Sequence, residues 1–345
     1  ALETVIFGKR PFNGKTDTQY TSSSEMFRIL TSRTKILRFL TFICWVVCVG
    51  LLVQPAAMAT TNTKTLKMAF PMGAKKFFAY EFGVIEMALE FAEGDYVLEV
   101  EEIDGLTQSR LSEMLSNGDV DLMFSGYSTN RENTFLQVNI PMTRGILGHR
   151  AFMIHGDKKD ALTHVKTIEQ LRQFCVGTGT DWPDADIMEK NGFCVERAPR
   201  NKLWEMLENK RFDLLTRAIH EAYRELPEVQ AKYPQIVLNE TVILAYPFDF
   251  FIYVPKQNTH LWQIVTNGLL EAYRTGAFME HVRNDPAIRR GIQAMQSGRQ
   301  TFHIENQAMD AATRTIDARF WYNSSDLYLN DNNNPHPLIP SPSNM

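Results

Sequence analysis

The sequence predicts an α/β protein with two lobes, each a mainly parallel sheet flanked by helices, and a ligand cleft between the lobes. Short apolar strands alternate with amphipathic helices along most of the chain, which is the pattern of parallel sheets. In addition, residues 110–122 (RLSEMLSNGDVDL) recur 92 positions later as residues 202–214 (KLWEMLENKRFDL), with seven identities in one register. This repeat predicts two similarly built halves. A chance match between two unrelated amphipathic helices is the alternative.

The first half is predicted to begin with a strand at residues 66–70. A helix over residues 82–92 follows, because Phe82, Ile85 and Leu89 fall on one face, and a second strand follows at residues 96–100. The first copy of the repeat then predicts a helix, a polar break and a short strand.

The second half is predicted to begin with a helix after Thr167, because Gln170 stands three residues on and completes a capping box. Pro183 is typical of a helix start, and Asn191-Gly192 is typical of its end. The strands of this half are predicted at residues 174–177, 193–196 and, after the second copy of the repeat, 212–215.

An export signal is predicted at residues 26–59. A basic segment, residues 35–38, leads into the uncharged residues 39–53 and then into Ala57-Met58-Ala59. This order is typical of a cleavable secretory signal peptide, and the apolar run is shorter than a spanning helix needs. We therefore expect cleavage near Ala59 and a periplasmic protein, with an uncleaved anchor as the alternative. Residues 1–25 are interpreted as not part of the native protein, and residues 326–345 as a flexible tail.

The composition narrows the possible partners and cofactors. Of the 36 basic and 40 acidic residues, 7 and 3 precede Thr60, so the remainder carries 29 basic and 37 acidic residues. This acidic balance disfavours nucleic acid and anionic membranes. The histidines show no metal-ligand spacing, so we expect neither a metal nor a cofactor. Cys175 and Cys194 fall on neighbouring predicted strands and form either a disulfide or two free buried thiols.

Several motifs carry a resemblance to a known family. They are residues 117–126 (NGDVDLMFSG), 128–131 (STNR), 140–141 (IP), 167–171 with 176–180 (VGTGT), and 267–269 with 275–278. Over roughly residues 64–322 the chain resembles a type 2 periplasmic solute-binding protein of amino-acid ABC transporters (extracellular solute-binding family 3). Two departures, Ser-Thr-Asn-Arg in place of T-P-E-R and Pro141-Met142 in place of Pro-Tyr, indicate a divergent branch.

The resemblance implies two lobes joined by hinge strands. Lobe 1 would comprise residues 60–150 and 250–325, and lobe 2 residues 151–249. The hinge strands are expected near residues 149–155 and 244–253.

The resemblance also implies a ligand site, in which Arg131 matches the arginine that pairs with the ligand carboxylate; a surface arginine is the alternative. The other predicted site residues follow strands at the cleft, and each has an alternative role in core packing, helix capping or ion pairing. They are Phe78, Tyr80, Ser125, Gly126 and Tyr127 in lobe 1, and Thr178, Gly179, Thr180, Trp182, Arg217 and Glu221 in lobe 2. The segment 178–180 before Pro183 would offer backbone N–H groups to an anion.

The predicted function is an exported solute-binding protein that captures an amino acid or related small carboxylate. A membrane permease or receptor would be its partner, and we expect a monomer. No catalytic motif stands out, so an enzyme is not predicted. Two alternatives stay open: a dehydratase-like enzyme that uses Glu221 or Asp181 as its acid or base, and a sensory solute-binding module.

Overall fold

The computed structural model describes residues 63–323 and the backbone of residues 3–4. The predicted signal peptide and the tail from residue 326 lie outside the described residues, as does the predicted leader apart from residues 3–4. Within the described part of the chain, no helix is long and apolar enough to cross a membrane.

The described elements alternate between strands and helices along the chain. The strands are β1 Glu3–Thr4, β2 Lys64–Pro71, β3 Tyr96–Ile103, β4 Met123–Gly126, β5 Phe135–Gln137, β6 His149–His155, β7 Cys175–Gly179, β8 Cys194–Ala198, β9 Leu214–Ala218, β10 Ile236–Leu238, β11 Val242–Ala245, β12 Phe250–Pro255 and β13 Gln300–His303. The helices are α1 Ala79–Glu90, α2 Gln108–Asn117, α3 Thr129–Thr134, α4 Ile168–Leu171, α5 Pro183–Lys190, α6 Arg200–Glu208, α7 Ile219–Lys232, α8 Thr259–Thr275, α9 Ala277–Asn284, α10 Pro286–Gln296 and α11 Ala311–Arg314.

The strands form two groups of sheets, one for each lobe. In lobe 1, β2 and β3 pair in parallel with β1 at their edge, and β4, β12 and β5 form a second, antiparallel sheet. In lobe 2, seven strands form one sheet in the order β13-β11-β6-β9-β7-β8, with β10 beside β6. The predicted parallel pairing holds for β2–β3, β7–β8 and β7–β9, whereas β6 and β12, which follow the crossings between lobes, run antiparallel to their neighbours.

The sequence repeat is also a structural repeat. In the first copy, Asp121 donates its backbone N–H to the carbonyl of Lys67, and its carboxylate accepts the Lys67 N–H at 2.7 Å. In the second copy, Asp213 makes the same two contacts with Cys175, at the start of β7. Each aspartate therefore ties the end of the repeat to a parallel strand of its own lobe, β2 in lobe 1 and β7 in lobe 2.

The two copies also end their helices in the same backbone conformation. Gly118, just after α2, has φ +79°, and Lys210, which occupies the equivalent place after α6, has φ +56°. The left-handed conformation costs little for glycine but strains a residue with a side chain. The turn geometry is thus common to both copies, although only one of them has the residue type that favours it.

A buried carboxylate joins the two chain segments that pass from one lobe to the other. Asp249, between β11 and β12, accepts hydrogen bonds from the backbone N–H of Thr143 at 2.9 Å, from the Thr143 hydroxyl at 2.8 Å and from the N–H of Gly145. These residues follow β5 and precede β6, so Asp249 joins the two crossing segments. The joined segments are residues 143–148, directly before the first expected hinge strand, and residues 246–249, inside the second expected range.

The C-terminal part of the chain differs from the expected lobe assignment. Residues 250–325 were expected in lobe 1, but β13 pairs in parallel with β11 in the sheet of lobe 2, and α10 packs against α7. The chain then returns to lobe 1, where the carbonyl of Ala308 accepts a hydrogen bond from the Thr129 hydroxyl at 2.8 Å and the N–H of Asp310 donates to the Tyr127 hydroxyl at 2.8 Å. The reason is that β11 offers an open edge to a further strand.

Candidate functional site

A cavity of about 480 Å³ lies between the lobes, within the size range of small-molecule sites. Its lining comes from both lobes and from the crossing segments. It consists of Phe70, Pro71, Phe78, Leu106, Thr107, Gln108, Ser109, Leu111, Phe124, Ser125, Gly126, Leu147, Arg150, Thr180, Asp181, Trp182, Pro183, Asp184, Pro199, Arg200, Arg217, Glu221, Phe248 and Phe250.

Aromatic rings form the lobe 1 wall of this cavity. Phe124 stacks on Phe70 with ring centroids 5.2 Å apart and meets Phe250 edge-on at 5.6 Å. Phe78 contacts Phe70 edge-on at 5.2 Å. The cluster forms because β2, β4 and β12, together with the loop before α1, each contribute one apolar side chain. The ring surface that faces the cavity favours a ligand with an apolar body.

The phenyl ring of Phe248 covers the backbone at Gly126. A Cβ atom at Gly126 would lie 2.6 Å from Phe248 Cζ, so only glycine fits there. A ring of the protein itself therefore packs closely against the backbone at Gly126.

Two buried ion pairs lie on the lobe 2 side. Arg150 Nη2 lies 3.1 Å from Asp184 Oδ1, which also accepts a hydrogen bond from the Tyr246 hydroxyl at 2.5 Å. Burial alone would lower the pKa of Arg150, but the Asp184 carboxylate beside it raises the pKa above its usual value. The Asp184 carboxylate thus stabilises the charged form of the Arg150 guanidinium.

The second ion pair joins β9 to α7. Arg217 lies 3.1 Å from Glu221 and donates to Glu225 at 2.5 Å, and its guanidinium stands 4.9 Å from the ring centroid of Trp182. Burial opposes the charged form of Glu221, yet the positive charge of Arg217 lowers the pKa of this carboxyl to about 2. Because two carboxylates face Arg217, its own charge is fully balanced within the protein.

The loop at residues 178–182 hydrogen-bonds within the protein. The Thr180 N–H donates to the carbonyl of Ala198 at 3.0 Å, and the Trp182 N–H donates to the carbonyl of Gly179 at 3.2 Å. The Trp182 ring packs directly over Gly179. The N–H group of Thr180, which we expected to receive an anion, therefore already has an acceptor.

A glutamine bridges the two lobes at the edge of the cavity. Gln108, the first residue of α2, donates its backbone N–H to Asp181 of lobe 2 at 2.9 Å. Its side-chain oxygen accepts hydrogen bonds from Arg131 Nη2 at 2.7 Å and from the Ser125 hydroxyl at 3.2 Å. Arg131 itself is buried, and its Nη1 donates to the carbonyl of Gly126 at 2.8 Å.

The cavity brings together seven of the predicted site residues. They are Phe78, Ser125, Gly126, Thr180, Trp182, Arg217 and Glu221. Arg217 and its equivalent in the repeat, Ser125, both line the cavity, whereas a contact of Arg217 with a ligand stays a prediction.

The other five predicted residues do not line the cavity. Tyr80 is buried, with its hydroxyl bonded to the carbonyl of Met142 and its ring stacked on His281. The Tyr127 hydroxyl donates a hydrogen bond to the Glu132 carboxylate at 2.6 Å. Gly179 lies beneath Trp182, Thr178 is fully buried, and Arg131 reaches the cavity only through Gln108. These residues were predicted because they lie at or near strand ends. That position alone does not tell whether a side chain faces the cavity or the core.

Sequence reasoning missed several lining residues. Arg150 belongs to β6, which was interpreted only as a hinge strand, and Phe250 belongs to β12, which was interpreted in the same way. Gln108 had no motif of its own, although its place at the start of the repeated helix was a usable signal. Asp184, in the first turn of α5, also lines the cavity and is paired with Arg150.

Residues 63–323 contain no cluster of three or more His, Cys, Asp or Glu side chains able to hold a metal ion. The Cys175 and Cys194 sulfurs, on directly opposed residues of β7 and β8, are bonded in a disulfide, with Cα atoms 4.6 Å apart.

No family model and no curated protein matches this sequence. Solved structures match its fold. A periplasmic binding protein of an arginine third transport system from Legionella pneumophila is similar at 14% identity, over 64% of this chain and 98% of its own, with a TM-score of 0.50.

Two further structures are similar at lower TM-scores. A histidine kinase sensor domain with similarity to periplasmic binding proteins aligns at 14% identity over 59% of this chain and 84% of its own, with a TM-score of 0.46. An ancestral amino-acid-binding protein, a precursor of cyclohexadienyl dehydratase, aligns at 12% identity over 64% and 93%, with a TM-score of 0.46. The chain thus has the α/β fold of type 2 periplasmic binding proteins, as a divergent example.

Proposed function

We propose that the protein is an extracytoplasmic solute-binding protein that encloses a small organic solute between its lobes and presents it to a membrane permease. The observation that carries this proposal is the cavity of about 480 Å³, to which both lobes contribute polar and aromatic side chains. A volume of this size suits a solute of amino-acid dimensions. The predicted export signal supports a site of action outside the cytoplasmic membrane.

Contacts between the lobes support capture by closure. The hydrogen bond from the Gln108 N–H to Asp181 links the start of α2 to the loop before α5, at the edge of the cavity. A second link joins Arg224 of α7 to the carbonyl of Phe77 in lobe 1. Hinge closure of two lobes around a ligand is a common mechanism of capture. In this protein the crossing segments held by Asp249 are the natural hinge.

The charge states in the cavity favour binding over acid–base catalysis. An efficient general acid or base has a pKa near the working pH. The pKa of Glu221 is lowered to about 2, so this carboxyl is a poor proton carrier at neutral pH. Asp181 accepts a backbone hydrogen bond that links the lobes. The two residues considered for a dehydratase-like role are thus better suited to holding the closed cavity together.

The resemblance implied an amino acid or a related small carboxylate as the solute. In this protein Arg131 donates to Gly126 and Gln108 and does not line the cavity. We therefore keep the size of an amino acid for the proposed solute. We do not propose that a carboxylate of the solute pairs with Arg131.

A thermal-shift screen of the purified chain against amino acids, amines and small carboxylates tests the proposal. We expect at least one solute to raise the melting temperature and to be recovered unaltered by mass spectrometry. Trp182→Ala removes a lining ring and should weaken binding at least tenfold. Trp204→Ala, on α6 and outside the lining, is the matched control. A solute recovered in converted form would favour an enzyme, and the absence of any binding solute would contradict the proposal.

A further inference from the structure

We propose that the solute is an organic cation with an aromatic or similarly flat apolar body, and that Asp181 receives its cationic head. This proposal rests on the proposed function and specifies the ligand class of the same cavity. It is carried by three features of the cavity: most groups expected to bind an anion already have partners, the charges in and behind the lining are balanced, and one lining carboxylate forms no ion pair.

The first feature is that most of the candidate anion receptors already have partners, although the buried Nε atoms of Arg131 and Arg150 have none in the described part of the chain. Arg131 donates both terminal nitrogens within lobe 1, to Gly126 and to Gln108. In lobe 2 the N–H groups of Thr180 and Trp182 donate to backbone carbonyls. A ligand carboxylate would have to displace these bonds and would leave buried polar atoms unpaired, at a cost of about 1–3 kcal/mol for each atom.

The second feature is the charge balance of the lining. Its three arginines, Arg150, Arg200 and Arg217, are matched by the carboxylates of Asp181, Asp184 and Glu221. Behind the wall, Glu225 accepts from Arg217 and lies 3.4 Å from Arg200, and the buried Arg131 adds a fourth guanidinium. The lining and the residues directly behind it thus carry four arginines and four carboxylates, with no excess of positive charge to hold an anionic head. Burying a charge without a partner is strongly unfavourable, so a charged head group needs a side chain of opposite charge that is not already in an ion pair.

The third feature is Asp181. It lines the cavity and accepts the Gln108 N–H, but it forms no ion pair with any residue of the described part of the chain. The other two lining carboxylates each face an arginine within 3.1 Å. Among the three lining carboxylates of the described residues, Asp181 is therefore the one that can form an ion pair with a cationic ligand. A cationic head beside it would form the charge-assisted contact that the protein does not itself supply.

The aromatic wall suits the rest of such a ligand. The rings of Phe70, Phe78, Phe124 and Phe250 lie on the lobe 1 side, and the Trp182 ring lies on the lobe 2 side next to Asp181. A flat apolar body can be buried between these walls at about 25 cal/mol per Å² of apolar surface removed from water. The negative faces of the rings also attract a cation, which adds to the preference for a positively charged head.

A matched ligand series tests the proposal by calorimetry: phenethylamine, 2-phenylethanol, phenylalanine and 3-phenylpropionate, which share a phenyl ring and differ in the head group. We expect phenethylamine to bind at least tenfold more tightly than 2-phenylethanol, and 3-phenylpropionate to bind weakest. Tightest binding by 3-phenylpropionate or by phenylalanine would overturn the proposal.

A variant separates the charge of Asp181 from its lobe-bridging role. Asp181→Asn keeps an oxygen that can accept the Gln108 N–H, so it should weaken phenethylamine about tenfold while leaving 2-phenylethanol unchanged. Asp186→Asn, at an exposed position of the following helix α5 that pairs with Arg197, is the matched control and should change neither. An equal loss for both ligands would overturn the assignment of Asp181.

The broad screen distinguishes this proposal from the proposed function. If another solute binds in the cavity and its head is anionic, the proposed function stands and the cationic ligand class fails. If no solute binds, both proposals fail together.

Discussion

Replacing Arg131 by methionine removes two hydrogen bonds from a buried guanidinium and leaves a side chain of similar length. The lost bonds run to the Gly126 carbonyl at 2.8 Å and to the Gln108 side chain at 2.7 Å. Bonds of this charged kind contribute about 1.5–3 kcal/mol each. Burial lowers the pKa of Arg131, which shows that its charge is held at a cost, and removing that charge returns part of the loss. We therefore expect the free energy of unfolding to fall by about 3 kcal/mol.

The assay for this variant is thermal and urea unfolding of the chain with and without ligand. A loss of about 3 kcal/mol corresponds to a melting temperature lower by roughly 6–12 °C in a domain of this size. Arg110→Met, at an exposed position of α2, is the matched control and should stay within about 0.5 kcal/mol of the parent. An unchanged melting temperature together with lost ligand binding would show that Arg131 contacts the solute directly and would refute this reasoning.

Three further predictions concern stability. Lys210→Gly should raise the free energy of unfolding by about 1 kcal/mol, because Lys210 has φ +56°, whereas Gly118→Ala should lower it by a similar amount. The Glu221 carboxyl contributes stability that is fully present above its unfolded pKa near 4.5 and is lost as the pH falls toward about 2. In Glu221→Gln, the free energy of unfolding measured with urea should therefore depend less on pH across that range. Replacing Cys175 and Cys194 by serine opens a bridge that spans 19 residues and should cost about 3 kcal/mol.

Each of these results has an opposite that would contradict it. A destabilised Lys210→Gly variant would mean that the exposed contact of this lysine with Asp157 outweighs the backbone strain. Parallel pH profiles for the parent and Glu221→Gln would show that Arg217 does not stabilise the charged form of Glu221. Two free thiols in the mass spectrum of the unreduced chain would show that the bridge is absent.

The sequence predicted the fold well where the signal is local or repeated. The capping box at Thr167 and Gln170, the helix start at Pro183 and the strands β2 and β3 appear where they were predicted, within a few residues. These features depend on backbone propensity and on periodic burial, both of which are written into neighbouring residues. The repeat also predicted a feature of the tertiary structure, because equivalent positions in two similar units occupy equivalent places. It relates Arg217 to Ser125, and both residues line the cavity.

Which side chains face the cavity, and with which partners, was decided only by the tertiary structure. Arg131 occupies the motif position that implied a carboxylate receptor, but its donors are taken up by Gly126 and by Gln108, a residue without a motif. Arg150 and Phe250 came to the cavity from strands whose interpretation was limited to the hinge. Hydrogen-bond partners far apart in sequence depend on how the two lobes meet, and no local pattern records that. The sequence by itself thus determined a repeated α/β unit with a cleft, and the packing of one lobe against the other determined the chemistry of that cleft.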